Sequence, residues 1–207
     1  MYYYLLMLFL SITGIFAWLK WKKSDENYKP FLAILMVGAV TEIINFLCGR
    51  IFQNNRPSTN IYVLVAALLW LFQFSKWNTF GKYPRISIYL AISIILAWIW
   101  NLFYVDGILN LLIHYRVYSS FILVILSVHQ LNYYIVHYKG DLFKSSIFLI
   151  CVGLLIQFTL KILTECFYLI NTSGAHLTSW VGMIFSTLLY IVAMYYLPQK
   201  KIRSGHS

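Results

Sequence analysis

The sequence predicts an all-α polytopic integral membrane protein: seven transmembrane helices, with the N-terminus outside and the C-terminus in the cytoplasm. Three observations carry this expectation. First, of 207 residues 61% are hydrophobic and only 11% charged, whereas soluble domains carry about 25% charged residues. A water-soluble fold cannot bury that much apolar surface, so the solvent is lipid. Second, seven segments approach or exceed the roughly 20 apolar residues that cross a bilayer: 2–19, 30–48, 60–76, 86–105, 110–136, 145–170 and 179–197. Third, the basic residues fall on alternate connections. Twelve of the 16 Lys and Arg lie between the first and second, third and fourth, and fifth and sixth segments, or after the seventh. The positive-inside rule puts those connections in the cytoplasm, and an odd number of spans then leaves the N-terminus outside.

Segment 2–19 carries no charge before its apolar run, and WLKWKK follows it. A signal peptide has the opposite order, so the segment is expected to stay as the first helix. Tyr2, Tyr3 and Tyr4 are placed at the outer interface, and Trp18, Trp21, Trp77, Tyr195 and Tyr196 at the inner one, where amphipathic rings favour the headgroup level. Runs such as LAILMVGAV in 30–48 and ISIYLAISIILAWIW in 86–105 lack the apolar–polar alternation of barrel strands, so each segment reads as a helix. Residues 198–207 form a short basic tail with Lys200, Lys201 and Arg203. Three helices, one, then three would suit a SWEET-type duplication, but the halves do not match residue by residue. The net charge of +10 follows from orientation and attraction to anionic lipid, not from nucleic-acid binding.

An ionisable residue inside a bilayer marks a functional site by default. At about 1.5 Å per residue, Glu42 of the second segment lies a few ångströms outward of the midplane, and Asn45 shares its face. In the sixth segment Gln157 is near the middle, and Lys161 and Glu165 follow at i and i+4 on one face. The fifth segment places His114, Arg116, Ser119 and Ser120 in the outer half. Asn101 and Asp106 end the fourth, and Asn60 and Tyr62 begin the third. The outer half thus holds two acids, Glu42 and Glu165, and two bases, Arg116 and Lys161. Buried charges require partners. The forked guanidinium of Arg116 suits Glu42, and Lys161 would serve Glu165 within its own helix. A second polar set, including Gln73, His129, Gln130 and His137, falls in the inner half.

Several chemistries find no support. The seventh segment has no lysine for a retinal Schiff base. Glu42 and Asn45 match the E-x-x-N spacing of alkaline-ceramidase-type hydrolases, but the H-x-x-x-H pair of that family is missing. There is no HExxH, GxSxG or P-loop, and the five histidines are too scattered for a metal site. No enzyme activity, metal or cofactor is therefore expected. Cys48, Cys151 and Cys166 form no metal pattern and are expected to be free thiols packed as small apolar groups, the alternative being a disulfide between Cys48 and Cys166, which both fall towards the outer leaflet.

VTEIINFLCG followed by NNRPSTNIYVLVAALLWLFQF resembles small, uncharacterised seven-helix bacterial membrane proteins. In those, an acidic second helix precedes an Asn-containing loop and an Asn-x-Tyr start to the third helix, here Glu42, Asn54, Asn55, Asn60 and Tyr62. The likeness covers residues 36–75 and implies the same topology and no particular activity.

The expected function is transport or sensing of a small solute, cation or proton at a polar pocket in the outer half of the inner (cytoplasmic) membrane. Its binding residues would be Glu42, Asn45, Asn60, Asn101, His114, Arg116, Lys161 and Glu165. Glu42 would take the cation or amine, Arg116 would be its counter-charge in the empty site, and Lys161 and Glu165 would shape the mouth. The alternative is an accessory or effector subunit that acts through a membrane partner or as a homo-oligomeric pore. A third reading, a lipid-modifying enzyme, would need clustered His and Asp that the sequence does not supply.

Overall fold

The computed structural model describes residues 2–170 and 174–198, with side chains for all of these except residues 2–8 and His176. The side chains of Tyr2, Tyr3 and Tyr4 and the basic tail beyond Pro198 therefore lie outside the described residues. The chain is all-helical: α1 (Tyr2–Trp21), α2 (Lys29–Ile51), α3 (Arg56–Lys76), α4 (Arg85–Trp100), α5 (Ile113–His137), α6 (Ser146–Leu169) and α7 (Gly174–Tyr195). Helices α2 to α7 each contain a stretch long and apolar enough to cross a membrane, whereas the apolar stretch Phe9–Trp21 of α1 is shorter. The protein is thus built as a multi-pass helical bundle for a bilayer.

Local chemistry sets the helix ends. Pro30 and Pro57 sit in the first turns of α2 and α3, where a missing N–H costs nothing. The Asp25 and Asp141 carboxylates accept from the backbone N–H of Asn27 (2.8 Å) and Phe143 (3.1 Å), shaping the one-turn helices that lead into α2 and α6. The sequence reads 86–105 as one continuous α-helix, but the structure ends α4 at Trp100 and continues with one wider, π-type turn over Asn101–Val105. Asn101 explains the change: its Oδ1 accepts from the Tyr115 N–H at 3.1 Å, tying the last turn of α4 to the start of α5.

The packing order is not the chain order. Six helices close a ring, α1–α2–α3–α5–α6–α7 and back to α1. Helix α4 stands outside it and leans on α3 and α5; Ile94 is its sole buried side chain before the π-type turn. Within the ring, α1–α2–α3 and α5–α6–α7 are each closely packed, whereas the seams α3–α5 and α1–α7 are thin. Close packing inside each set uses absent side chains. A Cβ on Gly14 would lie 2.5 Å from the Ala39 Cβ, and one on Gly153 would lie 2.6 Å from Tyr190 Cε1. Small residues let membrane helices approach in this way, where lipid offers no hydrophobic drive.

Polar ties fix the two ends of the ring. At the end formed by the C-termini of α1, α3, α5 and α7, Gln73 Oε1 accepts from the Phe31 N–H (2.7 Å) and its Nε2 donates to the Asn27 carbonyl (2.6 Å). There too the Thr79 hydroxyl donates to Gln130 (2.8 Å), and the Asp25 N–H donates to the Pro198 carbonyl (3.0 Å). The inner polar set of the sequence is thus partly structural. At the opposite end, Asn45 Oδ1 accepts from the Ser58 hydroxyl at 2.6 Å, joining α2 to α3. Cys48, Cys151 and Cys166 are free.

Candidate functional site

The ring encloses a cavity of about 240 Å³. It runs from Ile34, Trp70 and Tyr190, past the middle of the bundle, to Asn45, Thr59 and Glu165 towards the α2–α3 and α6–α7 connections. Each ring helix contributes to its wall: Thr13 from α1, Glu42 and Asn45 from α2, Tyr62 and Trp70 from α3, Arg116 and Ser119 from α5, Gln157, Lys161 and Glu165 from α6, and Tyr190 from α7. Five residues picked from the sequence by depth alone, Glu42, Asn45, Arg116, Lys161 and Glu165, therefore share one space.

Their pairing differs from the expectation. Arg116 does not meet Glu42, because α3 intervenes between α2 and α5 in the ring. Arg116 Nε instead lies 2.8 Å from Glu165 Oε1, across the closely packed α5–α6 interface. Glu165 is fully buried. The contact is close in distance but not aligned as a hydrogen bond: neither carboxylate oxygen of Glu165, nor Arg116 Nε, has a hydrogen-bond partner among the described residues. We regard it as an ion pair held by charge. Removing one member of a buried pair is costly because it strands the other.

Lys161, expected to serve Glu165, lies with Nζ 5.6 Å from the centroid of the Phe158 ring, one turn earlier on α6. Cation–π attraction accounts for that placement. Lys161 forms no ion pair among the described residues. Glu42 is half-buried, and no hydrogen bond or ion pair reaches it from the described residues. The cavity thus contains one ion pair, Arg116–Glu165, and two ionisable groups of opposite sign, Glu42 and Lys161, that form no ion pair among the described residues.

Three other sequence candidates lie elsewhere. Asn60 is buried behind the cavity wall, where its Nδ2 donates to the carbonyls of Asn110 (2.7 Å) and Ile108 (3.3 Å). It pins the α4–α5 connection onto α3. Asn101 ties α4 to α5, and with His114 it lines a second, shallower hollow beside Trp100 and Tyr104. His114 is exposed, its Nδ1 3.7 Å from Asp106 Oδ2.

Other wall residues did not stand out in the sequence. The Tyr190 hydroxyl donates to Gln157 Oε1 at 2.7 Å, joining α6 to α7. Thr164 and Thr178 share a hydrogen bond at 2.8 Å on the same two helices. The signal for Gln157 was its depth; Tyr190 is one of 17 tyrosines, and nothing local separates it from the interface rings. Among the described residues no group of His, Cys, Asp and Glu is arranged to hold a metal ion. No protein-family model, curated protein or solved structure matches this chain.

Proposed function

We propose that the protein binds a small polar solute in the central cavity, as a transporter or a sensor of that solute. One observation carries this reading: Glu42 and Lys161 face a common cavity from different helices, and neither has an ion-pair partner among the described residues. A charge within a bilayer is expensive and is kept with a partner. An occupant that supplies the missing partner gives both residues a physical reason to be there. A bundle evolved only for packing would have closed these charges onto each other, as it did with Arg116 and Glu165.

The same proposal includes the orientation. Lys20, Lys22, Lys23, Lys76, Lys82 and Arg85 lie at the connections expected in the cytoplasm. The positive-inside rule then puts the charged residues of the cavity, Glu42, Arg116, Lys161 and Glu165, in the outer half of the inner membrane.

The test is water access. In a protein with Cys48, Cys151 and Cys166 replaced by Ala, Ala66→Cys places one thiol on α3 at the cavity wall. A membrane-impermeant thiol reagent added from outside is expected to label it. A thiol that stays unlabelled in folded protein, while a cysteine at exposed Gln53 reacts, would mean a dry contact and would overturn the reading.

A further inference from the structure

We infer that the occupant of the central cavity is a small zwitterion, with its ammonium end on Glu42 and its carboxylate end on Lys161 and the outer edge of Arg116. This rests on the solute-binding reading above and names the substrate class of the same site.

The ring order supplies the geometry. Going round it, α2 and α6 are three places apart, so they face each other across the cavity. Neighbouring helix axes lie about 8–10 Å apart, so opposite axes in a six-membered ring are roughly twice that distance apart. The unmatched acid and the unmatched base thus stand on opposite walls, with a gap between them for a bridging molecule.

Charge balance supplies the class. Arg116 and Glu165 neutralise each other. A simple cation would satisfy Glu42 and leave Lys161 unmatched. A simple anion would do the reverse. A molecule with both charges satisfies both walls and keeps the cavity neutral, the arrangement that best offsets desolvation in a low-dielectric site. The carboxylate end has a second donor. Glu165 is approached by Arg116 Nε, so the Nη edge of the guanidinium has no hydrogen bond among the described residues. That edge matches a carboxylate in shape.

Size and walls agree with this class. A cavity of about 240 Å³ is smaller than the roughly 300–1,000 Å³ that hold drug-sized ligands, and it suits a molecule of amino-acid size. The aromatic rings of Tyr62, Trp70 and Tyr190 line the space, supplying apolar contact for a carbon backbone and π faces for an ammonium group.

The experiment measures binding to purified full-length protein in nanodiscs. The probes are glycine, β-alanine and 4-aminobutyrate, with n-propylamine and propionate as one-charge analogues. At least one zwitterion is expected to bind about tenfold or more tighter than either analogue. Glu42→Gln should weaken the zwitterion by about tenfold or more yet leave propionate unchanged, and Lys161→Met should weaken it similarly yet leave n-propylamine unchanged. Glu42→Gln keeps the side-chain shape, so it serves even if Lys161→Met fails to fold. Two results would overturn the inference while solute binding stands: n-propylamine binding as tightly as every zwitterion, or no probe binding to a protein whose Ala66→Cys thiol is water-accessible. An inaccessible thiol with no binding would remove both readings.

Discussion

At the scale of single residues, a charge inside this bundle is defined by what meets it. Glu165 and Glu42 are both glutamates in the same half of the bundle, yet Glu165 is fully buried against Arg116 and Glu42 is half-buried with no described partner. The two should respond differently to substitution. Arg116→Met strands the Glu165 carboxylate and is expected to lower stability by about 3–5 kcal/mol. The double variant Arg116→Met/Glu165→Met removes both charges and should recover most of the loss, because apolar replacement of a whole buried pair is often neutral. The shift in thermal unfolding midpoint in detergent, compared among the three proteins, checks this; equal losses in single and double variants would mean that Arg116 stabilises by packing alone. The sequence already isolated Glu42, Asn45, Arg116, Lys161 and Glu165, because rise per residue gives depth. It could not assign Arg116 to its partner. That choice depends on which helices touch, and depth carries no information about neighbours.

At the scale of the element, helices were the most legible feature. Each of the seven segments read from apolar runs contains a helix, since length and composition alone decide what can satisfy its backbone in lipid. Ends were less legible. Helix α3 begins at Arg56, four residues before its apolar run, because Pro57 and the hydroxyls of Ser58 and Thr59 suit a first turn. The π-type turn after Trp100 depends on the distant Tyr115 N–H and left no local trace. Close contacts between helices depend on glycines that look alike in sequence. Gly153 is the sharpest case: Gly153→Ala would place a methyl 2.6 Å from Tyr190 Cε1 and push the ring off Gln157. The expected cost is about 1–3 kcal/mol, typical of overpacking, read as a lowered unfolding midpoint. Gly49 has nothing within 4 Å of its Cβ position, so Gly49→Ala is the control and should leave the midpoint unchanged or raised.

At the scale of the whole molecule, the alternation of basic connections makes the orientation testable. Single cysteines at Lys82 and Gln53 lie at opposite ends of α3. In intact cells an impermeant maleimide is expected to label Gln53→Cys and to spare Lys82→Cys until the membrane is opened; the reverse pattern would invert the protein. The expected orientation rests on summed charge, whereas the ring was not legible in the sequence, because the chain does not announce that α4 stands outside it. That displaced helix has a consequence for handedness and motion. By crossing once more between the two triplets, it makes α5–α6–α7 run in the same directions as α1–α2–α3, so a half-turn about the bilayer normal carries the order of one triplet onto the other and α2 onto α6. The triplets then resemble two half-shells meeting along two slender joints, and rigid bodies part most easily where least is packed. Parting would lengthen the span from Glu42 to Lys161. The zwitterion proposed above, gripped at both ends, would be a strut across the joint, and its departure would remove the brace.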